Sequence, residues 1–487
     1  MLNQTRAPLF EAVKRHIDQG VTQFHVPGHK KGQGLPELKE YVGLRTMQMD
    51  LNGMEDLDYI NHPTGPLLEA QQLMAEVYGA DRSYFLVNGT TSGVQAMILA
   101  ACRPGDKIIV PRNAHRSTIG GIILSDALPV YIQPEINSDL GIAMGLSLSS
   151  IEKAISQHPE TRAIFLINPT YYGYTSDLPA IVELAHRRGI AVLVDEAHGS
   201  HLHFHPDLPI SAMEAGADMS AVSLHKTGGA LTQSSVLLYR SDLVRMEAVE
   251  AVLNLSYTSS ASYLLMCSLD LARKQLASSG RELMDKVLSL TRYAREAINE
   301  IGGLYAFGSE CTGTPGSVGF DESKLGINVC RLGMSGYQME TVLRQDHNLQ
   351  IELSDLNNIL AIVSLGHGKD DVSSLVDALS QVALSRSFKE SRRCPKLNHC
   401  PEMVVPPRTA FYSPCRNVSL QDAAGEIAAE MIMAYPPGIP ILCMGERITP
   451  DIIDYVRWLK TEQCELQGTA DPALEYIRVL ASPVMQR

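Results

Sequence analysis

The chain has 487 residues, 45% of them hydrophobic and 20% charged, so it is long and apolar enough to bury a sizeable core. Its formal net charge of −13 argues against a nucleic-acid or anionic-membrane binder, which needs a basic face. Nine cysteines without a C-x-x-C pair fit free thiols in a reducing compartment, and the Cys394/Cys400 pair has no second pair to complete a zinc site.

The N-terminal stretch MLNQTRAPLFEAVKRH has no apolar signal-peptide core, and no run of about 18 apolar residues occurs anywhere. A cytoplasmic chain without a membrane-spanning helix is expected. Residues 1–65 read as an irregular arm carrying a Gly/Pro-rich loop, His25 to Pro36. A helical stretch, LLEAQQLMAEVYG, then ends at Gly79, a residue suited to a helix C-terminus. Short apolar runs at 84–87, 107–110, 129–132, 163–168, 191–195 and 219–225 read as buried strands. Helical segments such as SGVQAMILAAC and LPAIVELAHRRG lie between several of them. This alternation predicts an α/β fold with a mostly parallel sheet covered by helices on both faces. In such sheets ligands bind beyond the carboxyl ends of the strands. The major domain is expected over 66–300 and a smaller C-terminal α/β region over 301–487. A polar, basic, proline-containing linker is expected at about 386–408, and a final helix opening at Ser419, where Ser-x-x-Asp resembles a capping box.

Four segments carry chemistry. Asn88-Gly89-Thr90-Thr91-Ser92-Gly93 joins a strand to a helix, and small hydroxyl residues with backbone N–H groups at a helix start hold phosphate. His115, after the strand KIIV, is placed to stack on an aromatic cofactor; an ordinary loop histidine is the alternative. Asp195 ends an apolar strand, where a carboxylate pairs with a protonated pyridine nitrogen or simply caps a helix. Lys226, in Ser-Leu-His-Lys-Thr-Gly-Gly, follows another strand; partial desolvation there frees its amine to attack an aldehyde, although a lysine in a surface turn reads the same way.

Taken in order as phosphate loop, stacking histidine, aspartate and lysine, the chain resembles the Orn/Lys/Arg decarboxylases, fold type I pyridoxal 5′-phosphate (PLP) enzymes related to the aspartate aminotransferases. The likeness runs through HVPGHKKG, ADRSYFLVNGTTSG, PRNAHRS, NPTYYG, VDEAHGSHLHFH, SLHKTGGALTQSS, the ELSD stretch 352–355 and YPPGIPILCMGE. Within the family the chain resembles the short, Bacillus-type biosynthetic arginine decarboxylases, without the N-terminal wing domain of the long inducible enzymes. The resemblance implies that Lys226 holds PLP as a Schiff base, that Asp195 partners the pyridinium, and that His115 stacks on the ring. It implies that Gly89, Thr90, Thr91, Ser92, Ser223 and His225 serve the phosphate, and that His198 lies near the substrate face. It implies further that the stretch Tyr257–Ser262, with Ser259 and Ser260, reaches a neighbouring subunit's site in a homodimer or an assembly of dimers. Here a tyrosine and an alanine stand where that stretch often has Thr, Ser or Pro.

The expected activity is decarboxylation of a basic amino acid, arginine to agmatine for polyamine synthesis, with lysine and ornithine as alternatives. Lys226 and His198 are both candidates to return the proton to Cα. Two rivals remain. An aminotransferase would need an arginine for a second substrate's carboxylate, and nothing in the context of Arg331 or Arg408 marks either. A metal protein would use His198, His201, His203 and His205, whose alternation on a strand would face one side, but no carboxylate or cysteine set completes it.

Overall fold

The computed structural model of the chain describes residues 2–386, 401–434 and 439–481. Cys394, Cys400, most of the expected linker and the Tyr435–Gly438 part of the C-terminal motif lie outside the described residues. Seven strands dominate: β1 (Arg82–Leu86), β2 (Lys107–Pro111), β3 (Leu128–Ile132), β4 (Ala163–Ile167), β5 (Ala191–Asp195), β6 (Met219–Val222) and β7 (Ser235–Tyr239). The chain divides into two compact units, one of Met1–Ala100 with Leu193–Asp285, the other of Ala101–Val192 with Lys286–Arg487.

In the first unit the strand order is β1-β7-β6-β5, with β5 and β6 parallel. β7 runs antiparallel to both of its neighbours. Its sequence, SVLLY, is an apolar run that the strand pattern above does not include, and all five residues are buried. In β5, Val192, Leu193 and Val194 are fully buried. Each such side chain is worth about 1.5–3 kcal/mol over leaving it in water, which is why this run sits inside the sheet. The helix that precedes β1 spans Pro66–Tyr78 and stops at Gly79, whose φ of +69° is the left-handed conformation that ends helices. The arm is not irregular as expected. It forms helices Pro8–Asp18, Pro36–Val42 and Leu44–Met49. Pro8 and Pro36 sit in first turns, where a missing N–H costs no hydrogen bond.

In the second unit β2 pairs in parallel with both β3 and β4. A four-stranded antiparallel sheet follows, in the order Tyr305–Phe307, Lys324–Asn328, Asn358–Ile362, Leu353–Ser354. The C-terminal region has its own small core. Cys415–Ser419 pairs with Tyr476–Leu480, and the helix Pro450–Thr461 buries Ile452, Ile453, Val456 and Leu459 against that core. The helix expected to open at Ser419 is instead a single 3-10 turn, Leu420–Asp422. The Ser419 hydroxyl does donate to Asp422, at 2.7 Å, but side chain to side chain, without starting a helix.

Candidate active site

The predicted residues of the first unit converge where β5, β6 and β7 meet the helix Gly89–Ala101. The apolar run at 219–225 does not stay extended. β6 stops at Val222, and Leu224–Thr227 coils into one helical turn that carries Lys226 past the strand end. The Lys226 Nζ lies 2.9 Å from Nε2 of His198, a residue just beyond the end of β5. Asp195 is the last residue of β5 and is buried. Its Oδ1 accepts from the Ala197 N–H at 3.1 Å. Burial pushes the Asp195 carboxyl up, while the Lys226 charge and the Ala197 N–H pull it back toward the ionised form.

The helix start is bound to the strand ends by hydroxyls. Thr90 Oγ1 donates to Ser235 Oγ at 2.9 Å and shares a short hydrogen bond with Ser223 Oγ. Ser92 Oγ donates to the Gly89 carbonyl at 2.8 Å, and Thr91 is exposed. Gly89 has φ +70°, which a side chain would strain. At Gly93 a Cβ would meet Leu86 Cδ1 at 2.8 Å and Ala221 Cβ at 3.1 Å, so only glycine lets this helix lie so close to β1 and β6. His225 Nδ1 is 3.1 Å from the Ser234 carbonyl, which can only accept, so Nδ1 carries the proton.

A second ring of residues, not anticipated from the sequence, holds the lysine turn. Thr227 Oγ1 lies 2.6 Å from Ser200 Oγ and 3.0 Å from His201 Nδ1, and Tyr78 OH donates to the Ser200 carbonyl at 2.7 Å. Glu196, next to Asp195, is buried and accepts from the Ala212 N–H and the Ser220 hydroxyl. Burial pushes its carboxyl up to about 8. Only its place beside Asp195 in VDEAH hinted at this.

The alternating histidine strand that a metal site would need does not form. Leu202–Phe204 is a 3-10 turn that sends the rings to separate partners. His203 faces Glu214 and His205 faces Asp285. Among the described residues no cluster of three or more His, Cys, Asp or Glu is arranged to hold a metal ion. Tyr257 folds back and donates to the Phe85 carbonyl at 3.0 Å, leaving Thr258, Ser259 and Ser260 exposed.

In the second unit His115 is the N-cap of the helix Arg116–Ser125. Its Nδ1 accepts from the Ser117 N–H at 3.2 Å and lies 2.8 Å from Ser117 Oγ. Three residues earlier, Arg112 makes a buried, two-pronged ion pair with Glu446. Arg408, one of the two arginines weighed for a carboxylate site, donates to the carbonyls of Ile123 and Leu124.

The donor set fits PLP. It offers an amine at a strand end, a buried carboxylate, and a helix start with hydroxyls for the aldehyde, ring nitrogen and phosphate respectively. Comparison with known proteins agrees. The Orn/Lys/Arg decarboxylase major-domain model matches residues 7–317, and the model of that family's C-terminal domain matches residues 393–471. An arginine decarboxylase of Bacillus subtilis is 44% identical over 483 residues, covering 98% of this chain and 99% of the relative. A lysine decarboxylase structure from Francisella novicida superposes with a TM-score of 0.83 at 21% identity, over 97% of this chain and 81% of that one. An alanine–glyoxylate aminotransferase structure from Nostoc, with a TM-score of 0.55 at 18% identity over 69% of this chain and 90% of that one, extends the likeness to the aminotransferase-type fold. The chain therefore belongs to the Orn/Lys/Arg decarboxylase family.

Proposed function

We propose that the chain converts L-arginine to agmatine and CO₂ in the cytoplasm, with PLP as cofactor. The observation that carries the reading is the 2.9 Å contact between Lys226 Nζ and His198 Nε2 beside the buried Asp195. The arginine decarboxylases among its relatives, 43–44% identical over almost the whole chain, support arginine over lysine and ornithine.

Lys226 would hold the cofactor through its amine, and Asp195 would partner the ring nitrogen. Gly89, Thr90, Thr91, Ser92, Ser223 and His225 would serve the phosphate, and His115 would cover the ring. When bound, PLP supplies an electron sink for the pair left when CO₂ departs. The chain's residues do the rest. Asp195, held by the Ala197 N–H, would supply the negative charge that partners a protonated ring nitrogen. His198 and Lys226 are close enough to pass a proton between Nε2 and Nζ, and they are the two candidates to return it to the substrate carbon. The Thr227–Ser200–His201 contacts keep the turn carrying Lys226 in place.

The active unit is proposed to be a homodimer, or an assembly of dimers, with shared sites. Exposed Thr258–Ser260 support this, as does an apolar arm surface: Phe24 and Tyr41 are 94% and 91% exposed, and the helix Pro36–Val42 buries no residue. The test of the activity is CO₂ release from arginine, lysine and ornithine at matched concentrations. Arginine should exceed the others in kcat/KM. A preference for lysine or ornithine would replace the substrate, and half-transamination with 2-oxoglutarate without CO₂ would replace the reaction class.

A further inference from the structure

A second cavity, of about 320 Å³, lies wholly within the second unit. Its lining mixes aliphatic side chains with five aromatic ones, Tyr171, Tyr172, Tyr337, Tyr455 and Trp458, and Tyr455 and Trp458 stack at 5.8 Å between centroids. Among the described residues the charged ones lining it are Arg112 and Asp355. The guanidinium of Arg112 is spent on Glu446 and on the Ile441 carbonyl, 3.0 Å away. Among the described residues the carboxylate of Asp355 has no such counter-charge. Its partners among the described residues are the Tyr172 hydroxyl at 2.5 Å, the Asn357 and Asn358 N–H groups at 2.8 Å each, and the Asn358 side-chain amide. All are neutral donors.

A carboxylate fixed by neutral donors in a cavity lined by apolar and aromatic side chains is a poor place for a negative charge alone and a good one for a cation. Burial accordingly pushes the Asp355 carboxyl up. The donors also fix its direction, so a ligand need not order it on binding. The size suits a guanidinium or ammonium head on a short aliphatic stem, and the apolar and aromatic side chains would cover the stem. Asn113 also lines the cavity, two residues before His115, so the cavity borders the loop that carries the proposed ring-stacking residue.

We propose that this cavity binds an organic cation, an alkylguanidinium or alkylammonium, with Asp355 as its counter-ion. The proposal rests on the arginine reading for its natural sources: the side chain of the reacting substrate, or a free amine such as the product.

Trp458 is the chain's one tryptophan, so its emission reports directly on the cavity. The test titrates the holoenzyme with butylguanidinium and with its neutral isostere butylurea, following Trp458 emission and heat release. Butylguanidinium should saturate both signals and butylurea should not. D355N should weaken butylguanidinium by roughly 10–100-fold, the scale of a charge-assisted hydrogen bond. Equal binding of the two probes by the wild type, or undiminished binding by D355N, would overturn the proposal. The first comparison stands even if D355N fails to fold. Competition of butylguanidinium with arginine, together with a fall in kcat/KM for D355N, assigns the site to the substrate side chain. Non-competitive inhibition, with kcat/KM kept in D355N, assigns it to a free amine. A wild type that binds butylguanidinium through Asp355 yet releases no CO₂ from arginine would sink the activity and leave the cation site standing.

Discussion

Lys226 Nζ and His198 Nε2 stand 2.9 Å apart although the residues are 28 positions apart in the chain. The pairing brings a nucleophilic amine and a proton carrier to one point, at the ends of two parallel strands. Lys226→Ala should abolish CO₂ release. Borohydride reduction of the wild-type holoenzyme followed by peptide mapping should place the pyridoxyl group on Lys226. A label on another lysine would move the site. His198→Asn should keep the label on Lys226 while lowering kcat by about 10²–10⁴-fold, the usual contribution of a positioned proton-transfer group. An unchanged kcat and pH profile would leave His198 a packing residue.

Asp195→Asn removes a charge without changing shape. Folding and cofactor content should stay near wild type, as read by circular dichroism and by cofactor absorbance. The rate should fall on the order of 10²–10³-fold, the scale for loss of one pre-organised electrostatic partner. Turnover close to wild type would refute the proposed role.

Much of this site was legible because strand ends are legible. VLVD and SAVS are apolar runs that stop at a polar residue, and the fold puts such stops on one edge of the sheet. Lys226, Asp195 and Thr90 were therefore picked out as candidates by their place at or just beyond a strand end. What escaped has a physical reason in each case. Strand β7, SVLLY, follows the lysine motif after a stretch of glycine and polar residues and was not read as a strand. The histidines at 198–205 looked like a strand because alternation is a period-2 signal, yet Phe204 turns in to pack against Gly280, where a Cβ would come within 2.9 Å of it. Glu196, Ser200 and Thr227 act through buried contacts with residues distant in sequence, and a single sequence does not display those.

Glu196 gives a pH test of stability. Its carboxyl, pushed up to about 8 by burial, faces Asp195, Glu214 and Tyr78, none of which offsets a second charge. The folded chain thus holds a proton that the unfolded chain releases near the ordinary value of 4.5. Stability from this group is full below about 4.5 and is lost as pH rises toward about 8. Glu196→Gln has no such proton to lose. Its melting temperature relative to wild type should rise across that window and level off above it. A constant difference from acid to alkaline pH would show that Glu196 is ionised in the fold.

The Arg112–Glu446 pair is a stability element with both partners buried. Glu446→Ala strands a buried guanidinium and should cost about 3–5 kcal/mol in chemical denaturation. Replacing both residues together with leucine should recover most of that loss, because no unpaired charge then remains. If the double variant is no more stable than the single one, the hydrogen bonds to the Ile441 carbonyl and the Cys443 N–H, rather than the charges, hold this region.

The last prediction concerns shared sites. On the first unit Ser259 and Ser260 are exposed, and the Ser260 N–H closes a local turn to Thr258 Oγ1. The N-terminal arm leaves Phe24, Val26 and Tyr41 in water, which a lone chain gains nothing from. A second copy would cover that apolar surface and bring its own Ser259 to the first chain's cofactor. Lys226→Ala kills the site in which that lysine sits, and Ser259→Arg should kill the site that its chain completes. Co-expressed, the two variants should form dimers of which half are mixed, and each mixed dimer keeps one intact site of two, giving about a quarter of wild-type CO₂ release. The same ratio of separately purified variants, assayed before subunits exchange, should stay inactive. No recovery on co-expression, with mixed dimers demonstrated by mass, would mean that each chain builds its site alone. A fully active monomer by light scattering at assay concentration would end the dimer proposal itself.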